Sequence, residues 1–73
     1  MDKEEFLKRY ENGERDFSGV ELRDVDLSGI HLYDLSLHKA KLININLSKA
    51  RLWRVDLSEA DLSGSNLFEA DLQ

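Results

Sequence analysis

Three sets of residues could do chemistry. Asp16, Asp26, Asn46, Asp56, Asp61, Asn66 and Asp71 each stand directly before a regularly spaced Leu or Phe, and paired carboxylates can serve general acid–base work. His31 and His38 are the only histidines. With no cysteine and no third ligand converging on them, they do not make a metal site. Serines are frequent but fall in turn-like pairs, Ser18-Gly19, Ser28-Gly29 and Ser63-Gly64, and neither a nucleophile elbow nor a phosphate-cradling glycine loop is present. No cofactor is implied.

What would position these groups is a repeat. Phe17 is followed at five-residue spacing by Leu22, Leu27, Leu32, Leu37, Leu42, Leu47, Leu52, Leu57, Leu62, Leu67 and Leu72. Two residues before each leucine runs a second, smaller series: Val20, Val25, Ile30, Leu35, Ala40, Ile45, Ala50, Val55, Ala60, Ser65 and Ala70. Period five matches neither a helix at 3.6 nor a strand at 2. Two inward residues separated by one outward residue, then two more outward residues at a bend, coil the chain around a leucine axis. A right angle per unit makes a square coil of about 20 residues, and the charges agree. Residues 16–35 carry five acids and one base, 36–55 five bases and no acid, and 56–73 five acids and no base. Stacking each residue on its i+20 partner, at the ~4.8 Å of adjacent strands, matches Glu21 with Lys41 and Lys41 with Asp61. It also matches Asp34 with Arg54, Lys39 with Glu59, Lys49 with Glu69, and Arg51 with Asp71. Like charges at that spacing would destabilise the ladder, so alternation also controls register.

The units Val25-Asp26-Leu27-Ser28-Gly29, Ala60-Asp61-Leu62-Ser63-Gly64 and Ala70-Asp71-Leu72 resemble the A(D/N)LXX signature of pentapeptide-repeat proteins, a family especially common in cyanobacteria. The resemblance implies an all-β solenoid, a right-handed quadrilateral β-helix, here of about three coils over residues 15–73. It implies a structural duty for Asp or Asn before the leucine, and a filled interior without a pocket, hence a non-enzyme. Arg15, Leu35 and Ile45 depart from the small residue usual at their position: the last two predict a locally bulkier interior, and Arg15 an entry unit. Some family members resemble DNA, bind DNA gyrase and protect it from inhibitors. A mimic needs a continuous acidic surface, which the basic residues of 36–55 interrupt.

Residues 1–14 read as a lid. Asp2 to Asn12 has a short amphipathic helix pattern, with Asp2 and Glu5 at capping-box spacing and Gly13 as a stop. Phe6, Leu7 and Tyr10 share one side, and solenoids must cover the apolar end of their stack. The rival, a membrane-surface helix, conflicts with the mixed charge of its polar side. At the other end, Leu57, Leu62, Leu67, Leu72, Ala60 and Ala70 lack an evident cover, so a homodimer through that coil is one expectation and a longer repeat array another. The second candidate surface is a face on which Tyr33 and Trp53 stack, flanked by His31, Arg51 and Arg54; Trp, Tyr and Arg are enriched at binding hot spots.

The chain has 73 residues, no cysteine and no proline, 34% charged residues and a formal net charge of −5. This excludes a disulfide scaffold and an ordinary basic nucleic-acid-binding domain. The N-terminal Met1-Asp2-Lys3-Glu4-Glu5 carries no secretory pattern. The expected molecule is a cytoplasmic protein-interaction module with a protein partner, and with no nucleic-acid or membrane ligand.

Overall fold

One N-terminal helix is joined to the leucine coil by a short turn. A computed structural model describes Met1–Gln73. Helix α1 spans Lys3–Glu11. Asp2 caps it, its side chain accepting from the Glu5 backbone N–H at 2.8 Å, which satisfies one of the orphan donors of the first turn. The reciprocal half of the expected capping box is missing, because the Glu5 carboxylate turns outward to Arg9 one helical turn on. The helix stops as the Asn12 N–H bonds back to Lys8 and Gly13 adopts a φ of +94°, a conformation without steric cost only in glycine.

After this turn the chain repeats. Strands β1 (Glu21–Arg23), β2 (His31–Tyr33), β3 (Lys41–Ile43) and β4 (Arg51–Trp53) pair in parallel, β1 with β3 and β2 with β4. The register is Leu22 on Leu42 and Leu32 on Leu52. Isolated bridges continue the same register, from Asp16 to Ser36 to Asp56, from Asp26 to Asn46 to Asn66, and from Lys41 to Asp61. Every one of these pairs is i with i+20, as the charge pattern predicts. The strands are three residues long because each pentapeptide bends at its end, and the bends need positive φ. Gly19, Gly29 and Gly64 supply it at φ of +70 to +75°. Elsewhere Asp24, Asp34, Lys39, Asn44, Lys49, Arg54, Glu59 and Glu69 take φ of 54–61°, and most of these pay the left-handed cost that only glycine escapes.

The interior is a column of leucines. Leu22, Leu27, Leu32, Leu37, Leu42, Leu47 and Leu52 are buried beneath Phe17, as are Leu35, Ala40, Ile45 and Ala50 of the second series. The two bulky members expected at 35 and 45 are accommodated by alternation with alanine at 40 and 50, which keeps the volume of that layer filled without overpacking. Phe6 closes the near end. It is 1% exposed, with its ring 4.8 Å from that of Phe17, which is wholly buried. Leu7, Tyr10 and Met1 pack around it, so α1 is a lid on the stack. No helix is long and apolar enough to cross a membrane.

The charge ladder is realised differently from its residue-by-residue expectation. Arg54 and Asp34 form a two-pronged pair, with a second contact of 3.1 Å from Nη2. The backbone also brings Glu21 beside Lys41, yet the Glu21 carboxylate takes Arg23 at 2.5 Å, two residues along the same strand. Glu59 turns to His38 at 3.7 Å rather than to Lys39. The register is that of alternating charge, but long flexible side chains choose nearer partners within it.

Candidate functional site

The Asp and Asn residues before the leucines share one task. Asp16, Asp26, Asp56 and Asp61 accept the backbone N–H of the serine two residues on, at 2.9–3.1 Å. Asn46 and Asn66 do the same for Ser48 and Phe68. These are Asx turns, which hold the bend and satisfy a donor the ladder leaves free. The serine bonds hold the carboxyls of Asp16, Asp26, Asp56 and Asp61 below the usual carboxylate range, the opposite of what a general acid needs.

The histidines lie apart. His31 sits on β2, its ring 6.1 Å from Tyr33. His38 contacts the Ser58 hydroxyl through Nδ1 at 2.7 Å and faces Glu59 through Nε2, while the Ser58 hydroxyl donates to Asp56 at 2.6 Å. A serine whose proton is already held by a neighbouring carboxylate is not poised as a nucleophile toward His38. The single surface depression has a volume of about 390 Å³ and is lined by Met1, Asp2, Glu21, Arg23 and Val25. No group of histidine or acidic side chains is arranged to hold a metal ion.

The aromatic face is assembled as its spacing predicts. Pairing of β2 with β4 sets His31 against Arg51 and Tyr33 against Trp53. The Tyr33 and Trp53 rings stand 5.3 Å apart and tilted by 33°, an offset arrangement that aromatic pairs favour. The Arg51 guanidinium lies 5.6 Å over the Trp53 ring, within range of a cation–π contact. Arg54 closes the face beside them. Its bond to Asp34 lowers the Asp34 pKa and raises its own.

Two contributions to this face carry no signal in the repeat. Tyr10, on the lid, accepts the Tyr33 backbone N–H with its hydroxyl at 2.9 Å and lies under Arg15, whose guanidinium carbon is 4.0 Å from the ring centre. Asp71 accepts the Trp53 indole N–H at 2.9 Å. By the 20-residue rule Asp71 belongs under Arg51, and it does pair there; the wide indole reaches across from the neighbouring column. The face is thus a band running from Arg15 and Tyr10 through Tyr33 and Trp53 to Asp71.

The expected end-stacking residues are also where the repeat puts them. Leu57, Leu62, Leu67, Ala60 and Ala70 are half-buried, whereas Leu72 is 54% and Phe68 65% exposed.

The model for pentapeptide repeats matches this chain in eight copies over residues 16–54 and 36–73. The chain belongs to the pentapeptide-repeat family. Its short parallel strands in i+20 register fit the β-helix that this family implies, and proteins of the family are generally structural or interaction modules. No curated protein matches the chain. Within the family pattern, Ser65 does more than fill the small inward position. Its hydroxyl accepts the Ile45 N–H at 3.0 Å and donates to the Leu42 carbonyl at 2.7 Å, tying two passes together from inside the wall.

Proposed function

We propose that this pentapeptide-repeat protein is a protein-binding module, a right-handed quadrilateral β-helix of about three coils, that presents the band of His31, Tyr33, Arg51, Trp53 and Arg54 to a protein partner. The observation that carries this reading is the exposed cation–aromatic stack. Trp53 and Tyr33 are only half-buried, and Arg51, Arg54 and His31 are exposed around them. Large rigid rings beside arginine give contact area at low entropic cost, which is why such clusters dominate interfaces. The rings are held in place from within, Tyr33 through the Tyr10 hydroxyl on its backbone and Trp53 through Asp71, so a partner meets a preorganised surface.

A gyrase-directed DNA mimic is less favoured. Lys39, Lys41, Lys49, Arg51 and Arg54 form a belt of positive charge between the acidic passes, where a phosphate-like surface must be negative throughout. The test is capture of a partner by the wild-type chain and by Tyr33→Ala and Trp53→Ala. Loss of capture with an unchanged circular dichroism spectrum supports the reading. Capture unaffected by both substitutions removes this face, and protection of gyrase supercoiling from an inhibitor by the wild-type chain favours the mimic.

A further inference from the structure

Three of the molecule's arginines are neutralised within it. Arg9 pairs with Glu5 and Glu14, Arg23 with Glu21, and Arg54 with Asp34. Arg15 and Arg51 form no ion pair, although the sequence holds 15 acidic residues. Both of these guanidiniums belong to the same face, and each lies over an aromatic ring of the band. Arg15 stands 4.0 Å from the Tyr10 ring centre and Arg51 5.6 Å from that of Trp53. The i+20 register offers Asp71 to Arg51, but the Asp71 carboxylate turns to the Trp53 indole N–H instead.

The donors left over are arranged to take an anion. Arg15 spends Nη1 on the backbone carbonyls of Tyr10 and Glu14, both at 2.9 Å. Its Nε–H and Nη2–H stay free on one edge of the planar guanidinium, and two donors on one edge are the fork that a carboxylate grips with both oxygens. The Arg51 side chain makes no hydrogen bond, and its place over Trp53 leaves its rim of N–H donors open. Arg15, Arg51 and Arg54 are all exposed around the half-buried Tyr33 and Trp53. Against these three guanidiniums the band has two carboxylates, Asp34 and Asp71. The first is bonded to Arg54 and the second to the indole. The band thus carries an excess of positive charge in a chain whose net charge is −5.

We propose, building on the reading of this face as a protein-binding surface, that the partner presents an acidic extended segment. Its Asp or Glu side chains flank an apolar residue on one side of the segment; the carboxylates bind Arg51 and Arg15 and the apolar side chain covers Tyr33 and Trp53. Alternate residues of an extended chain point the same way and recur at about 6.6 Å, close to the 5.6 Å between the Arg51 guanidinium and the Trp53 ring. A single nucleic-acid strand fits less well. Its unbroken row of phosphates would meet Asp34 and Asp71 within the band, whereas a peptide sets its acids only where the arginines stand.

The experiment uses the 73-residue chain and two nine-residue peptides with Leu at the centre, Ser at the even positions, and either Glu or Gln at the other odd ones. Binding is followed by NMR, including the arginine Nε–H signals. The Glu peptide should bind about ten-fold more tightly than the Gln peptide, and the ratio should fall as salt rises. The Nε–H signals of Arg15 and Arg51 should shift. That of Arg23, paired with Glu21 on β1 and away from the β2–β4 face, should not. Arg51→Gln removes no hydrogen bond or ion pair from the fold and should bring the ratio down to about three-fold, while Arg51→Lys, which keeps the charge without the fork, should fall between. Equal binding of both peptides, no binding of the Glu peptide, unmoved Arg15 and Arg51 signals, a ratio unchanged in Arg51→Gln, or tighter binding of a short oligothymidylate would each overturn the proposal. Equal binding that is lost in Trp53→Ala would keep this face as a protein-binding surface while removing the acidic class. Binding that persists in both Tyr33→Ala and Trp53→Ala would remove the face as well.

Discussion

Replacing Phe6 by alanine should come close to unfolding the whole molecule, although it touches only the lid. Phe6 is 1% exposed and packs on Phe17 with ring centres 4.8 Å apart, so truncation uncovers the top of the leucine column as well as leaving a cavity. Phe→Ala at such a site costs about 3–5 kcal/mol. A domain of this length has about 4–11 kcal/mol in total. The loss should therefore remove about a quarter or more of the stability, and all of it if the wild type lies at the low end. Phe6→Leu keeps most of the apolar cover and should cost about 1–2 kcal/mol. Urea unfolding followed by the fluorescence of Trp53, the only tryptophan, reads the effect far from the mutation. Far-UV circular dichroism follows α1 itself. With a slope of about 1 kcal/mol/M for a small protein, Phe6→Ala should lower the Trp53 midpoint by several molar. If the helical signal disappears while the Trp53 midpoint stays within about 1 M of wild type, α1 is an appendage and the reasoning about end-capping is wrong.

Ser65→Ala restores the commoner small residue yet should destabilise by about 1–3 kcal/mol, because it strands the half-enclosed Ile45 N–H that Ser65 now accepts; thermal unfolding checks it. Gly64→Ala should cost more than Gly29→Ala. Both glycines have φ of +70°, but a methyl group at 64 meets the Asn44 amide oxygen at 2.1 Å whereas one at 29 meets open space. A double-mutant cycle with Asn44→Ala should remove the difference. Acidification should destabilise the protein as the pH falls from the unfolded aspartate value, about 3.9, through the lower folded values of Asp16, Asp26, Asp56 and Asp61. A folded pKa below the unfolded one gives stability that is present above this window and lost within it. Changing those four residues to asparagine keeps the turn acceptor, as Asn46 and Asn66 already do, and should flatten the acid limb of stability against pH.

Much of the ladder was legible because its determinants are periodic. The leucine spacing names the inward face, and the reversal of charge between residues 16–35, 36–55 and 56–73 selects i+20 pairing over 15 or 25. Tyr33 and Trp53 fall into one column by the same rule, so the heart of the candidate site is legible in the spacing alone. The salt bridges were less legible. Register sets which backbones are neighbours, whereas Glu21 and Glu59 have enough reach to take Arg23 and His38 instead of the lysines beneath them. Exposed ion pairs differ by too little energy for spacing alone to rank them.

The sequence by itself determined the period, the register and the aromatic pair, because each follows from the same five-residue repeat; that Asp and Asn form Asx turns came from the structure. Only the tertiary structure decided how the non-repeating parts meet the repeat. Tyr10 reaches the backbone of Tyr33 across 23 positions, Asp71 crosses a column to the Trp53 indole, and Ser65 bonds inside the wall rather than merely fitting there. Those contacts depend on the length and direction of single side chains in three dimensions, and a periodic pattern holds no information about either.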